Sequence, residues 1–496
     1  MQNKMIRELY QKLQNNQELR PTLGELRKLC KDYSHRHALL YCIGDDYRLF
    51  HELLNNEDAK VRKNTALLIG ELGIQAMVDM LYQCYRAEQM LFVKPSYLTA
   101  MKELNFIKYL PDFKERLHEL SKAEFTVEEK KHRSEEMREL STLIVMAEGI
   151  KKHEFTGYSM EQDLILLTNR NHIDITLNQL SSESKKAFGA GVMVKTNQLK
   201  EVLPIRTYTE LLFAVPGMLK AGNDPIEIAK VIDKAGLVKF LKQRHSGTPP
   251  YYFRIEYKTK LPLDKKSAFT KKLAQEIENN TMREMVNSPS DYEIELRLIE
   301  GKDGNINLLL KLYTLPDHRF DYRLQSIATS IRPVNAALTV ALAKSYMKEQ
   351  AQVLDPFCGV GTMLIERHKA VKANTTYGID CYEEAIKLAK ANTEAAHQLI
   401  HYINKDFFEF THDYLFDEII TDMPFAMGKT NQANIVQIYD RFFDKSREVL
   451  KEEAVMILYT HDRELVKKGA RKYAYQIEKE YEISAVEGTY VVVLNR

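Results

Sequence analysis

The stretch Val353-Leu354-Asp355-Pro356-Phe357-Cys358-Gly359-Val360-Gly361-Thr362-Met363-Leu364-Ile365-Glu366 joins an apolar strand to an amphipathic helix through a turn with two glycines one residue apart. Glycines there let the backbone approach a ligand closely at the carboxyl end of the strand, where open α/β sheets hold their cofactors. A second strand follows at βαβ spacing, Thr375-Thr376-Tyr377-Gly378-Ile379-Asp380. It ends 25 residues beyond Asp355 in a carboxylate suited to accept hydrogen bonds from a ribose diol. A third run, Ile400 to Ile403, leads to Lys405 and Asp406, and a fourth, Phe416 to Thr421, leads to Asp422-Met423-Pro424-Phe425. Asp355, Asp380, Asp406 and Asp422 all fall just past strand ends, along one edge of the expected sheet.

Downstream of Phe425 the pattern predicts a helix near Ile435 to Leu450, a strand at Val455 to Tyr459 and a helix from Arg463. A closing pair of strands is expected near Tyr475 to Glu482 and Thr489 to Leu494. Upstream the texture is different. From the start to about Lys122 it is helical, and the stripe Val61, Thr65, Leu68, Leu72 is repeated 32 residues on by Val93, Tyr97, Ala100, Leu104. The first copy ends at Gly73, as a helix should. Residues 123–152 carry the charge run Glu128-Glu129-Lys130-Lys131-His132-Arg133 and read as a solvated connecting helix. Short β-like runs follow at Leu164 to Thr168, Ile173 to Leu177, Glu201 to Val215 and Tyr251 to Tyr257, with a helix at Pro225 to Lys242. A strand at Phe253 to Tyr257, a helix from Ser267 to about Met285, a strand at Tyr292 to Leu298 and a return through Asn307 to Leu312 complete a mixed α/β region.

Composition narrows the function classes. A chain of 496 residues suggests roughly three domains. Its 71 Lys and Arg against 69 Asp and Glu exclude both a strongly basic tail-like protein and an acidic solvating chain, so a charged partner must meet a local patch. Residues 191–270 supply one, with 14 Lys or Arg against 7 Asp or Glu. The five cysteines are odd in number and form no CxxC pair, which supports neither a disulfide framework nor a zinc site and suggests a reducing cytoplasm. No run approaches the length of a membrane span, and the first 17 residues lack the apolar core of a secretion signal. A membrane partner and a metal are therefore not expected.

A hydride-transferring dinucleotide enzyme would carry GxGxxG, but position 364 is Leu and Asp-Pro precedes the glycines. The segment Asp355-Pro356-Phe357-Cys358-Gly359-Val360-Gly361-Thr362, with Ile365-Glu366, instead resembles the first motif of class I S-adenosylmethionine-dependent methyltransferases. Its form is the one typical of enzymes that methylate exocyclic amines of nucleic-acid bases. The resemblance implies a Rossmann-like domain with a seven-stranded sheet and S-adenosylmethionine as cofactor. Asp355, Phe357, Cys358, Gly359, Gly361 and Thr362 would surround its methionine part, Asp380 would hold the ribose, Asp406 and Phe407 would contact the adenine, and Asp422 would border the cofactor.

Asp422, Pro424 and Phe425 stand where that family has its catalytic loop. An exocyclic amine is conjugated with its ring and poorly nucleophilic. A carboxylate and a main-chain carbonyl that accept its N–H bonds raise electron density on nitrogen. Proline removes an N–H that would repel the amine hydrogens, and the Phe425 ring can stack on a base swung out of its helix. Met423 replaces the first proline of the usual Asp/Asn-Pro-Pro-aromatic loop, which resembles the THUMP-type tRNA guanine-N2 methyltransferases. Leu315 to Arg323 and Ser330 to Ala337 are similar to the joint between the two domains of that family. Residues 253–312 resemble a THUMP RNA-binding module, and the first helical stripe resembles half of a HEAT repeat.

The expected architecture is thus multidomain α and α/β. It has a HEAT-like helical domain over 1–122, a helical linker over 123–152, a THUMP-like domain over 153–314 and a methyltransferase domain over 315–496. The expected activity is methyl transfer to guanine N2 of RNA, tRNA before rRNA, in the cytoplasm. The open alternatives are an adenine-N6 methyltransferase on RNA or DNA and a catalytically silent RNA-binding protein. His461 and Cys381 read as structural or surface residues.

Overall fold

Alternation is what builds the carboxyl-terminal sheet. Along each strand successive side chains leave opposite faces. Val353, Ile420, Ile457, Val491 and Val493 enter one hydrophobic core, while their neighbours Leu354, Ile419, Met456, Leu458, Val492 and Leu494 enter a second. Near-continuous apolar runs are needed because a parallel sheet is covered on both faces.

A computed structural model describes residues 2–123, 125–149, 152–426 and 432–496. Within the sheet we label strands β1 (Gln352–Asp355), β2 (Thr375–Asp380), β3 (His401–Asn404), β4 (Phe416–Asp422), β5 (Leu450–Thr460), β6 (Gln476–Ser484) and β7 (Thr489–Asn495). Their order is β3-β2-β1-β4-β5-β7-β6. The first five are parallel, and β7 lies antiparallel between β5 and β6. The strand order reverses beside β1, the topological switch point at which such sheets open a crevice. Helices α1 (Thr362–Ala370), α2 (Glu383–Ala395), α3 (Gln432–Val449) and α4 (Arg463–Lys472) connect the strands. All seven expected strands are present.

The chain divides into two compact units. One comprises residues 155–216 and 309–496. Segment 155–216 forms antiparallel strands Gln162–Thr168, Lys185–Phe188, Gly191–Thr196 and Tyr208–Phe213. Long-range polar contacts tie it to the rest of its unit. Arg206 donates to both oxygens of Glu366, at 2.7 and 2.5 Å, and Arg319 donates to the carbonyls of Ile205 and Tyr208. The run Ile173–Leu177, expected as a strand, is a short helix. Its β-branched composition is overridden by burial of Thr176, which shares a hydrogen bond with Thr207 at 2.8 Å.

The other unit comprises residues 1–154 and 217–308. The stripe residues Val61, Thr65, Leu68 and Leu72, and Val93, Tyr97, Ala100 and Leu104, are all buried. The helices Ala59–Leu72 and Lys94–Met101 cross so closely that a Cβ on Gly70 would lie 2.6 Å from the Ala100 Cα. Helix Val127–Glu148 opens with a capping box between Thr126 and Glu129, but it is not a solvated connector. Met137, Leu140 and Leu143 sink into the same core as the first 122 residues. Its buried Glu136 is neutralised by Arg116 and Arg133, at 3.0 and 3.1 Å, and accepts from Tyr85 at 2.8 Å. Strand Tyr251–Lys258 pairs in parallel with Met285–Asn287 and Ile294–Glu300, with helix Leu263–Asn280 between them in sequence. Among the described residues no helix is long and apolar enough to cross a membrane.

Candidate active site

The glycine turn after β1 has its conformation for a visible reason. Gly359 and Gly361 adopt φ +51° and +80°, which residues bearing a Cβ adopt only with strain. At Gly361 a Cβ would also fall 2.1 Å from the Tyr402 hydroxyl, so the turn can only close over Tyr402 if that position is bare. The Gly359 N–H donates to Asp380 Oδ2 at 2.9 Å, and the Tyr382 N–H donates to Asp380 Oδ1 at 2.8 Å. Each carboxylate oxygen keeps a further acceptor site. The ends of β1 and β2 are thereby tied together around a cavity of about 340 Å³.

Asp355, Phe357, Cys358, Gly359, Thr362, Asp380, Asp422, Pro424 and Phe425 all line that cavity. The structure thus brings together residues from three strand ends and the catalytic-loop positions. Gly361 shapes the turn without facing the space. Asp406 does not reach it: it is exposed and caps the short turn Phe407–Glu409 by accepting from the Phe408 N–H at 3.0 Å. Phe407 is buried beside Phe357, ring centroids 5.9 Å apart, and stands behind the wall.

Sequence reasoning missed part of the lining. Ile327, Thr329, Ser330 and Ile331 form one wall, and Cys381 and Tyr382 another. Tyr382 is an exposed aromatic two residues past a strand-end acid, a signal that would have found it.

The charges are unusual. Asp355 is buried, which pushes its carboxyl up to about 7 against the pull of hydrogen bonds from Thr421 Oγ1 at 2.5 Å and the Phe357 N–H at 3.1 Å, with the Asp380 charge adding to the rise. Asp422 is held well above the ordinary carboxylate range by burial and by the charge of Asp355. Among the described residues the buried Asp422 Oδ1 has no hydrogen-bond partner, and neither has the buried Thr362 Oγ1. A buried acceptor left open costs about 1–3 kcal/mol, which a donor on a ligand would recover. The cavity therefore has vacant acceptors and an excess of carboxylates, a donor set that suits a cationic, N–H-bearing ligand. Among the described residues no group of three His, Cys, Asp or Glu could hold a metal ion.

Residues 321–489 match the family model of the RMKL-like methyltransferase domain. Among solved structures, TrmN from Thermus thermophilus is 16% identical with a TM-score of 0.51, covering 68% of this chain and 99% of that one. SMU.472, assigned as a methyltransferase and complexed with SAH, is 11% identical with a TM-score of 0.51, covering 67% of this chain and 97% of its own. A Listeria monocytogenes protein described as a predicted N6-adenine-specific DNA methylase is 15% identical with a TM-score of 0.51, covering 67% and 96%. These likenesses establish the class I methyltransferase fold. With the domain match they make the carboxyl-terminal region an S-adenosylmethionine-dependent methyltransferase.

Proposed function

We propose that the protein transfers a methyl group from S-adenosylmethionine to the exocyclic N2 of a guanosine in RNA, with tRNA as the preferred substrate, in the cytoplasm. The observation that carries this reading is the buried Oδ1 of Asp422 at the end of β4, which has no hydrogen-bond partner among the described residues and lies in the cavity wall beside Pro424 and Phe425. An acceptor in that position suits an amine N–H.

When bound, the cofactor supplies an electrophilic methyl group on a sulfonium. The glycine turn and Thr362 would hold its methionine part and Asp380 its ribose hydroxyls. Asp422 accepts one N–H of the target amine and orients the nitrogen lone pair, and the Met423 carbonyl is available for the other. The nitrogen gains a methyl and sheds one proton, for which Asp422 is the adjacent acceptor. Proline at 424 keeps a repelling N–H out of the loop. Phe425 offers its ring to the extruded base.

The grip on RNA is assigned to the exposed Lys230, Lys234, Lys239, Lys265 and Lys271 on helices Pro225–Lys234, Leu237–Arg244 and Leu263–Asn280. Met423, closer to Leu than to Pro, favours guanine N2, in keeping with the THUMP-type resemblance. Five free cysteines support a reducing compartment. Adenine N6 is the second reading, since the same acceptor serves either amine and one structural neighbour carries that description.

The test is incubation of the purified protein with labelled S-adenosylmethionine and total RNA from a strain lacking its gene, followed by nucleoside identification in the tRNA and rRNA fractions. Label in N2-methylguanosine of tRNA, absent with Asp422→Ala, supports the proposal. Label in N6-methyladenosine replaces the base, and no label in any RNA overturns the reading.

A further inference from the structure

The catalytic-loop aromatic does not stand alone. The Phe425 and His461 rings are stacked, with centroids 4.1 Å apart and planes inclined by 28°. They come from neighbouring strand ends. Asp422 of β4 is in register with Tyr459 of β5, and the Met423 N–H donates to the Tyr459 carbonyl at 2.8 Å, so the two chains leave the sheet side by side.

The backbone around His461 is fixed. The Asp462 N–H donates to Thr460 Oγ1 at 2.9 Å, that hydroxyl also bonds the Tyr439 hydroxyl at 2.7 Å, and the Asp462 carboxylate caps α4 by accepting from the Leu465 N–H at 3.2 Å. The Tyr459 ring meets the imidazole edge-on at 6.1 Å.

We infer that His461 is a positioning residue: it backs one face of Phe425 so that the opposite face is presented to the base being methylated. The inference rests on the reading of the site given above. A ring has two faces, and the His461 stack occupies one, so the bound state is a three-layer stack of base, Phe425 and His461. Without the imidazole, the ring must be ordered by the incoming base at the moment of binding, which weakens RNA binding. An aromatic pair of this geometry corresponds to about three- to tenfold in affinity.

The experiment uses the full chain as wild type, His461→Ala, His461→Phe, Phe425→Ala and the Phe425→Ala/His461→Ala double variant. The RNA is tRNA from the strain lacking the gene. We expect His461→Ala to raise KM for RNA about three- to tenfold, with cofactor binding and Tm unchanged. His461→Phe should restore KM, and removal of His461 should add nothing once Phe425 is gone. Histidine labelled with carbon-13 gives a second readout independent of turnover: the His461 Hε1 resonance should be displaced by the Phe425 ring current and return toward its ordinary position in Phe425→Ala.

A wild-type KM in His461→Ala, or an undiminished penalty in the Phe425→Ala background, overturns the positioning role. An Hε1 resonance indifferent to Phe425→Ala overturns the stack itself. Absence of methyl transfer by the wild type defeats the proposed RNA reaction instead, and the resonance still decides the stack.

Discussion

Thr421 donates its hydroxyl to Asp355 Oδ1 at 2.5 Å, joining the carboxyl ends of β4 and β1 beneath the cavity. Thr421 is fully buried, so this bond works without competition from water. It favours the charged form of Asp355 against the burial that opposes it. Thr421→Val keeps the shape and removes the donor. A hydrogen bond to a charged group contributes about 1.5–3 kcal/mol, so cofactor affinity at pH 7 should fall on the order of tenfold. Titration calorimetry with S-adenosylmethionine reads this directly. An unchanged Kd would mean that Asp355 does not face the cofactor.

The same carboxyl sets a pH dependence. With Asp355 raised to about 7, below that pH the resting site holds a proton that a cationic ligand must displace. Binding should therefore tighten as pH rises through about 7 and level off above it, with proton release measurable as a buffer-dependent enthalpy. Asp355→Asn should flatten the profile.

How much of this was legible beforehand follows from where the determinants lie. The acids at strand ends were readable because strand, turn and helix are local, and Asp355, Asp380 and Asp422 now share one cavity. Asp406 shares the same local signature yet faces solvent as a cap, because position past a strand end does not fix where a side chain points. The charge run Glu128 to Arg133 points to a solvated helix, yet further along the same helix Glu136 and Glu139 are buried. Their partners Arg116 and Lys102 come from elsewhere in the chain. Segment 155–216 is tied to the rest of its unit by contacts such as Arg206 with Glu366, 160 residues apart, which no periodicity encodes. That bracket, with the Tyr322 hydroxyl donating at 2.6 Å, also makes the glutamate of the first motif a structural tie.

Asp422→Ala should lower kcat by about 10²–10⁴, the usual range for a positioned acid–base group. Asp422→Asn keeps one carbonyl acceptor and should fall between that variant and the wild type. Because burial holds Asp422 well above the ordinary carboxylate range, the wild-type rate should rise with pH as it ionises, and the Asn variant should lose that limb. Single-turnover rates at several pH values check both statements.

Arg367 of α1 and Glu418 of β4 form an ion pair with side chains 0% and 1% exposed, joined at 2.9 and 2.7 Å. Arg367 also donates to the carbonyls of Val371 and Lys348. Removing one partner leaves an uncompensated buried charge, so Arg367→Met should destabilise by about 3–5 kcal/mol. The double variant Arg367→Met/Glu418→Leu should recover most of that loss. Urea denaturation of the four proteins closes the cycle.

In the other unit, His153 sits between two acceptors, Glu293 Oε1 at 2.7 Å and the Thr248 carbonyl at 3.0 Å, so both ring nitrogens can donate only in the imidazolium. Burial pulls its pKa down, but the Glu293 and Thr248 bonds prevail and the net shift is upward. A histidine raised on folding stabilises fully below its unfolded value, about 6.5, and that contribution is lost as pH rises through the folded value. Thermal unfolding should therefore show Tm falling across this window, with a shallower slope in His153→Gln. An equal slope in the variant would show that the proton on His153 is not linked to folding.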